Sequence, residues 1–136
     1  MRVTSVAGSL APSELEAALE RVHDEAGPSL PEMEALLAPA GSHAMLEGVK
    51  LSELLDGGEE SKKILKKGLI FLKKRMYPTA LEWWRLNRQK LDASKARLEL
   101  LLLMMEAYTV TLSGEKGGKV LEKIRGHPLY SKYKAK

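Results

Sequence analysis

The chain predicts an all-α fold: a bundle of short antiparallel helical hairpins with an N-terminal pair of amphipathic helices docked on it. Three observations carry this. Apolar residues recur at helical spacing from Leu15 to Ile124. Glycine and proline interrupt that spacing at short intervals, so neighbouring helices must turn back on each other. One segment, "LELLLLMMEAY" at Leu98 to Tyr108, is apolar nearly all round, which marks a helix surrounded by others.

The elements follow in order. Met1 to Pro12 reads as extended or mobile chain. Ser13 and Glu16 have the spacing of a capping box, so a helix starts there. Its stripe is Leu15, Ala18, Leu19, Val22 and Ala26, flanked by Glu16, Glu20 and Asp24, and Gly27-Pro28 stops it. Ser29 and Glu32 repeat the pattern ahead of Met33, Leu36 and Leu37, and this second helix is expected to end before Pro39. Two helices this short need a larger surface to cover their stripes.

Leu51, Leu54 and Leu55 mark a helical turn closed by Gly57-Gly58. A long helix then runs from Glu59 to Met76. Ile64, Leu65, Gly68, Leu69, Phe71, Leu72 and Met76 lie on one broad side, and Lys62, Lys63, Lys66, Lys67, Lys73 and Lys74 on the other. Ile70 projects into the lysine arc. Pro78 restarts the chain as a helix carrying Ala80, Leu81, Trp84 and Leu91 on one face, with Trp83 at its edge. Asp92 caps the central core helix, expected from Ala93 to about Leu112. "KVLEKIRG" forms a last short helix and "HPLYSKYKAK" a polar, basic tail. Stacked hairpins of this kind look like tetratricopeptide arrays. No self-similarity at the family's period of about 34 residues exists here, and no family is claimed.

The 136 residues suit one domain, or a domain plus an appended segment. With 44% hydrophobic residues the chain can build a core, and with no Cys it has no disulfide framework, thiolate nucleophile or cysteine zinc site. Absence of Cys fits an intracellular compartment, cytoplasmic or nuclear. No apolar run reaches the roughly 20 residues of a membrane-spanning helix, and the N-terminus lacks the apolar core of a signal peptide.

The net charge of +4 hides an asymmetry. Residues 1–40 carry two basic and seven acidic residues, −5; residues 41–136 carry 20 basic and 11 acidic, +9. Parts of opposite sign favour meeting each other. The change falls at Gly41-Ser42-His43-Ala44-Met45. Gly-Ser-His ahead of a methionine is what a cleaved affinity-tag vector leaves before an inserted start codon. Residues 41–45 therefore read as a tag remnant or linker, with an acidic helical fragment (1–40) and a basic helical domain (46–136) as two joined pieces. His43 is left out of any site.

No catalytic, cofactor or metal constellation is recognisable. His23, His43 and His127 do not share the i, i+4 spacing of a helical metal site. "SGEKGGK" at Ser113 to Lys119 follows a helix and lacks P-loop spacing. An enzyme is the third-ranked reading. The first is a protein-interaction module, an adaptor, scaffold or chaperone-type subunit, binding an acidic amphipathic segment in a hydrophobic groove. Leu15, Leu19 and Val22 are one anchor set, and Met33, Leu36 and Leu37 a second. Ile70, Tyr77, Trp83 and Trp84 are groove candidates, because an apolar centre inside a charged ring resembles an interface core and rim. The second reading is nucleic-acid association through the basic patch Lys62, Lys63, Lys66, Lys67, Lys73 and Lys74.

Overall fold

A computed structural model describes residues 12–22, 27–46, 48–55, 58–115 and 118–133. Among these the secondary structure is entirely helical: α1 (Pro12–Arg21), α2 (Leu30–His43), α3 (Leu51–Leu55), α4 (Glu59–Lys73), α5 (Tyr77–Gln89), α6 (Ala96–Leu112), α7 (Gly118–Arg125) and α8 (Tyr130–Tyr133). A single 3₁₀ turn, Ala93–Lys95, leads into α6. No described helix is long and apolar enough to cross a membrane. The N-terminal stretch before α1, together with His23, lies outside the described residues.

The helix α6 holds the centre, in contact with α2, α3, α5 and α7. Eleven of its seventeen residues are buried, as its unbroken apolar composition requires. The main core gathers Met33, Leu37, Ala40, Leu54, Leu65, Leu69 and Trp84 around Leu100 to Met105. Asp92 caps the approach to α6: its carboxylate accepts from the Ser94 N–H at 2.9 Å and from the Ser94 hydroxyl. These bonds hold its pKa below the usual carboxylate value.

Trp84 fixes the relation of three helices. Its side chain is fully buried, and its ring occupies the space a side chain on Gly68 of α4 would need. Its indole N–H donates to Thr109 Oγ1 of α6 at 2.9 Å, and that hydroxyl donates to the Met105 carbonyl at 2.6 Å. Trp83, one residue and about 100° away, donates from its indole N–H to the Ile64 carbonyl at 2.8 Å.

One carboxylate sits inside this core. Glu106 is 2% exposed and accepts from Arg85 Nε at 3.1 Å and from Arg88 Nε and Nη2 at 3.2 and 3.1 Å. Both arginines come from α5, three residues apart, so one face of that helix satisfies both carboxylate oxygens. Such a pair compensates its own desolvation, and losing one partner leaves a costly buried charge.

Three helices end in the same way. At the ends of α2, α4 and α6 the chain makes paired 6→1 and 5→2 backbone bonds: Leu46 to Gly41 and Met45 to Ser42, Met76 to Phe71 and Arg75 to Leu72, Glu115 to Val110 and Gly114 to Thr111. This is the Schellman motif, whose left-handed position favours glycine. Only α6 supplies one, Gly114; α2 places Met45 there with φ 62° and α4 places Arg75 with φ 59°.

The structure corrects three expectations. The second helix does not stop before Pro39 but continues to His43. Pro39 and Ala35 are both exposed, so the carbonyl released by the missing N–H can turn to water. Ser13 is not an N-cap, because Pro12 before it is already helical. The segment from His127 is not simply a solvated tail. His127 is buried, its Nδ1 accepts from the Leu129 N–H at 3.1 Å, and its Nε2 lies 2.9 Å from Glu99 Oε1. The ring proton therefore sits on Nε2 and is donated to the carboxylate. Leu129, Tyr130 and Tyr133 pack on the main core.

The notch beneath Trp84 predicts that Gly68→Ala lowers the stability measured by urea unfolding by about 1–3 kcal/mol through overpacking. The two non-glycine left-handed positions predict the opposite sign. Met45→Gly and Arg75→Gly each relieve roughly 1 kcal/mol of backbone strain and raise the urea midpoint.

Candidate helix-binding surface

The predicted anchors fall into two separate apolar clusters. Met33 and Leu37 of α2 are buried in the main core, 1% and 5% exposed, and Leu36 packs against it half-buried. Leu36 also lines a cleft of about 200 Å³ with Leu69, Leu72, Tyr108 and Leu112. Ala18 and Val22, from α1 and the turn that follows it, join Ile70, Phe71 and Ala80 in a second, smaller cluster. Leu19, Leu72, Met76 and Trp83 pack around that cluster half-buried. Leu15 is buried as well.

Two helices build the seat of α1. From α4 come Ile70 and Phe71, adjacent residues that turn away from the Leu65–Leu69 face committed to the main core. From α5 comes Ala80, with Trp83 closing one side. Phe71 and Trp83 meet edge to face, with centroids 6.3 Å apart. Ala18 and Ala80 are both almost without exposure, and their small side chains allow α1 to lie close on α5. Ile70, which breaks the lysine arc in sequence, is thus covered by apolar atoms. Trp84 lies in the main core and Trp83 borders both clusters. Tyr77 is half-buried in the first turn of α5 and belongs to neither.

Charge surrounds the seat. Lys66, Lys67, Lys73 and Lys74 stand at three and four residues on either side of Ile70, the positions that neighbour it on a helix surface. Lys63, Lys73 and Lys74 are exposed, and Lys62, Lys66 and Lys67 are half-buried. Lys73 pairs with Glu32 of α2 at 3.9 Å, while Lys62 pairs within its own helix with Glu59 at 3.5 Å. Side chains this exposed contribute about 0–1 kcal/mol per pair and are screened by salt. They set register and rate more than affinity. Glu16 and Glu20 on α1 are exposed.

Just ahead of α2, the chain passes over α4 at Gly27. At Gly27 a Cβ would stand 2.7 Å from Lys66 Cβ, so the chain passes hard against that lysine's stem. Residues 41–45 form the last turn and cap of α2; Gly41 and Ala44 are buried, and His43 Nε2 lies 3.0 Å from Thr111 Oγ1. Among the described residues no cluster of His, Asp and Glu is arranged to hold a metal ion.

Sequence reasoning missed Phe71 and Ala80 as parts of the seat. Phe71 was indistinguishable from other residues of the broad α4 face, and an alanine carries little periodic signal. Gly27 looked like a helix stop, with nothing to reveal its fit against Lys66. Replacing Ile70 with Asp should free α1 selectively: amide hydrogen exchange across residues 13–22 should rise sharply while α6 stays protected. Comparison with protein-family models, with curated proteins and with solved structures finds no match for this chain.

Proposed function

We propose that this chain is a protein–protein interaction module that holds an acidic amphipathic helix in an apolar groove between α4 and α5. The observation that carries the reading is the seat of α1. Its apolar edge meets Ile70, Phe71 and Ala80 in a cluster distinct from the main core, with lysines on both sides of Ile70. On this reading the recognised helix lies within the acidic N-terminal helix pair. The body from residue 46 is an adaptor, scaffold or chaperone-type subunit built from hairpins in a tetratricopeptide-like manner. The charge change across 41–45 supports an origin in two joined pieces, the acidic one serving as ligand.

A peptide exchange assay tests this. In a Val22→Asp chain the resident helix is weakened and the groove becomes available. A labelled peptide of residues 9–26 should bind this chain, bind more weakly as salt rises, and lose binding when it carries Leu19→Asp. Absence of peptide binding to a folded Val22→Asp chain would sink the proposal. Salt-sensitive binding to generic duplex DNA in its place would favour nucleic-acid association through Lys63, Lys73 and Lys74.

A further inference from the structure

We infer that only α1 is the exchangeable ligand, and that it acts as a built-in competitor which an external helix must displace. The inference rests on the groove reading above and divides the N-terminal pair into two unlike parts. The second helix is integral. It carries a complete capping box, with Ser29 Oγ accepting from the Glu32 N–H and the Glu32 carboxylate accepting from the Ser29 N–H. Met33, Leu37, Ala40 and Ala44 belong to the main core with α6, so removing α2 would strip one side of that core. The first helix has ten residues, a length at which an isolated helix is marginal in water. Ala18, and Val22 just beyond the helix, close a satellite cluster rather than the main core. The dividing line between ligand and body therefore falls in residues 22–29, ahead of α2.

The seat specifies what can replace α1. Leu15, Ala18, Leu19 and Val22 have the spacing i, i+3, i+4 and i+7, one continuous helix stripe. Ala18 at the second position is 1% exposed and shares its cluster with the fully buried Ala80 of α5, so a large side chain there would hold the helices apart. The lysines at three and four residues from Ile70 favour acidic flanks. The fitting partner is thus an acidic helix from another protein with aliphatic residues at the first, third and fourth of these positions and a small residue at the second. The connection is the control point. Gly27 passes so close to Lys66 Cβ that a branched side chain there must move the crossing while leaving every groove residue intact.

Cleavage of the full chain at one of two inserted protease sites tests the division. A cut between residues 23 and 26 should leave the urea midpoint of the remainder nearly unchanged. It should also strengthen binding of the labelled 9–26 peptide by about tenfold or more, because a tethered α1 competes at an effective concentration near millimolar. A cut between residues 47 and 48 should leave both fragments associated, with no exchange of added 27–46 peptide. Uncut Gly27→Val should gain peptide affinity in the same direction as the first cut. A peptide carrying Ala18→Leu should bind at least about tenfold more weakly. Unfolding after the first cut, unchanged peptide affinity in both the cut chain and Gly27→Val, or ready exchange of the 27–46 peptide would each overturn the inference. If the folded Val22→Asp chain binds no peptide, the groove reading itself fails. If it binds and the cut chain shows no gain, only the competitor role fails.

Discussion

The fit of the Trp84 ring onto the bare backbone of Gly68 sets the geometry of everything else. An indole is too large to sit between packed helices unless one of them gives up a side chain, and α4 does so at this one point. The hydrogen bond from its N–H to Thr109 then fixes the depth at which α5 meets α6. A buried indole N–H left unbonded would cost about 1–3 kcal/mol, so the bond penalises every other depth. With α4, α5 and α6 locked, the neighbouring residues are constrained too. Trp83 is directed toward Ile64, and Arg85 and Arg88 toward Glu106.

The same arrangement accounts for the presence of two apolar clusters. A helix whose core face is used by Leu65, Gly68 and Leu69 has Ile70 and Phe71 left over on its other flank. These residues need a second cover, and α1 supplies it. Between the two helices of the N-terminal pair, Gly27 lets the chain cross α4 without displacing Lys66. Thus α2 packs into the main core and α1 into the satellite cluster.

Much of the fold was legible because its signals are local. The Ser29–Glu32 box, the apolar belt of α6 and the Asp92 cap are each contained within a few residues. Ile70 stood out because it violates a local pattern, and the structure buries it. What escaped depends on contacts between distant residues or on backbone geometry. Nothing around Glu106 announces that two arginines from the preceding helix surround it. The His127–Glu99 bond joins residues on different elements. The ends of α2 and α4 were hidden because methionine and arginine occupy positions where glycine is the usual sign, and Pro39 suggested a false end because its exposure made it tolerable. In the α1 seat Ala18 and Ala80 contribute by their lack of bulk, to which hydropathy patterns are blind.

The integral position of α2 also has a consequence in time. Its main partner, α6, lies four helices further along the chain. During synthesis Met33, Leu37 and Ala40 emerge long before Leu100 to Met105 exist to cover them. Until then the nascent chain presents an uncovered apolar stripe, flanked by the acidic Glu32 and Glu34. Late closure of α2 onto α6 makes the order of emergence from the ribosome, as well as the final packing, part of what this sequence must manage.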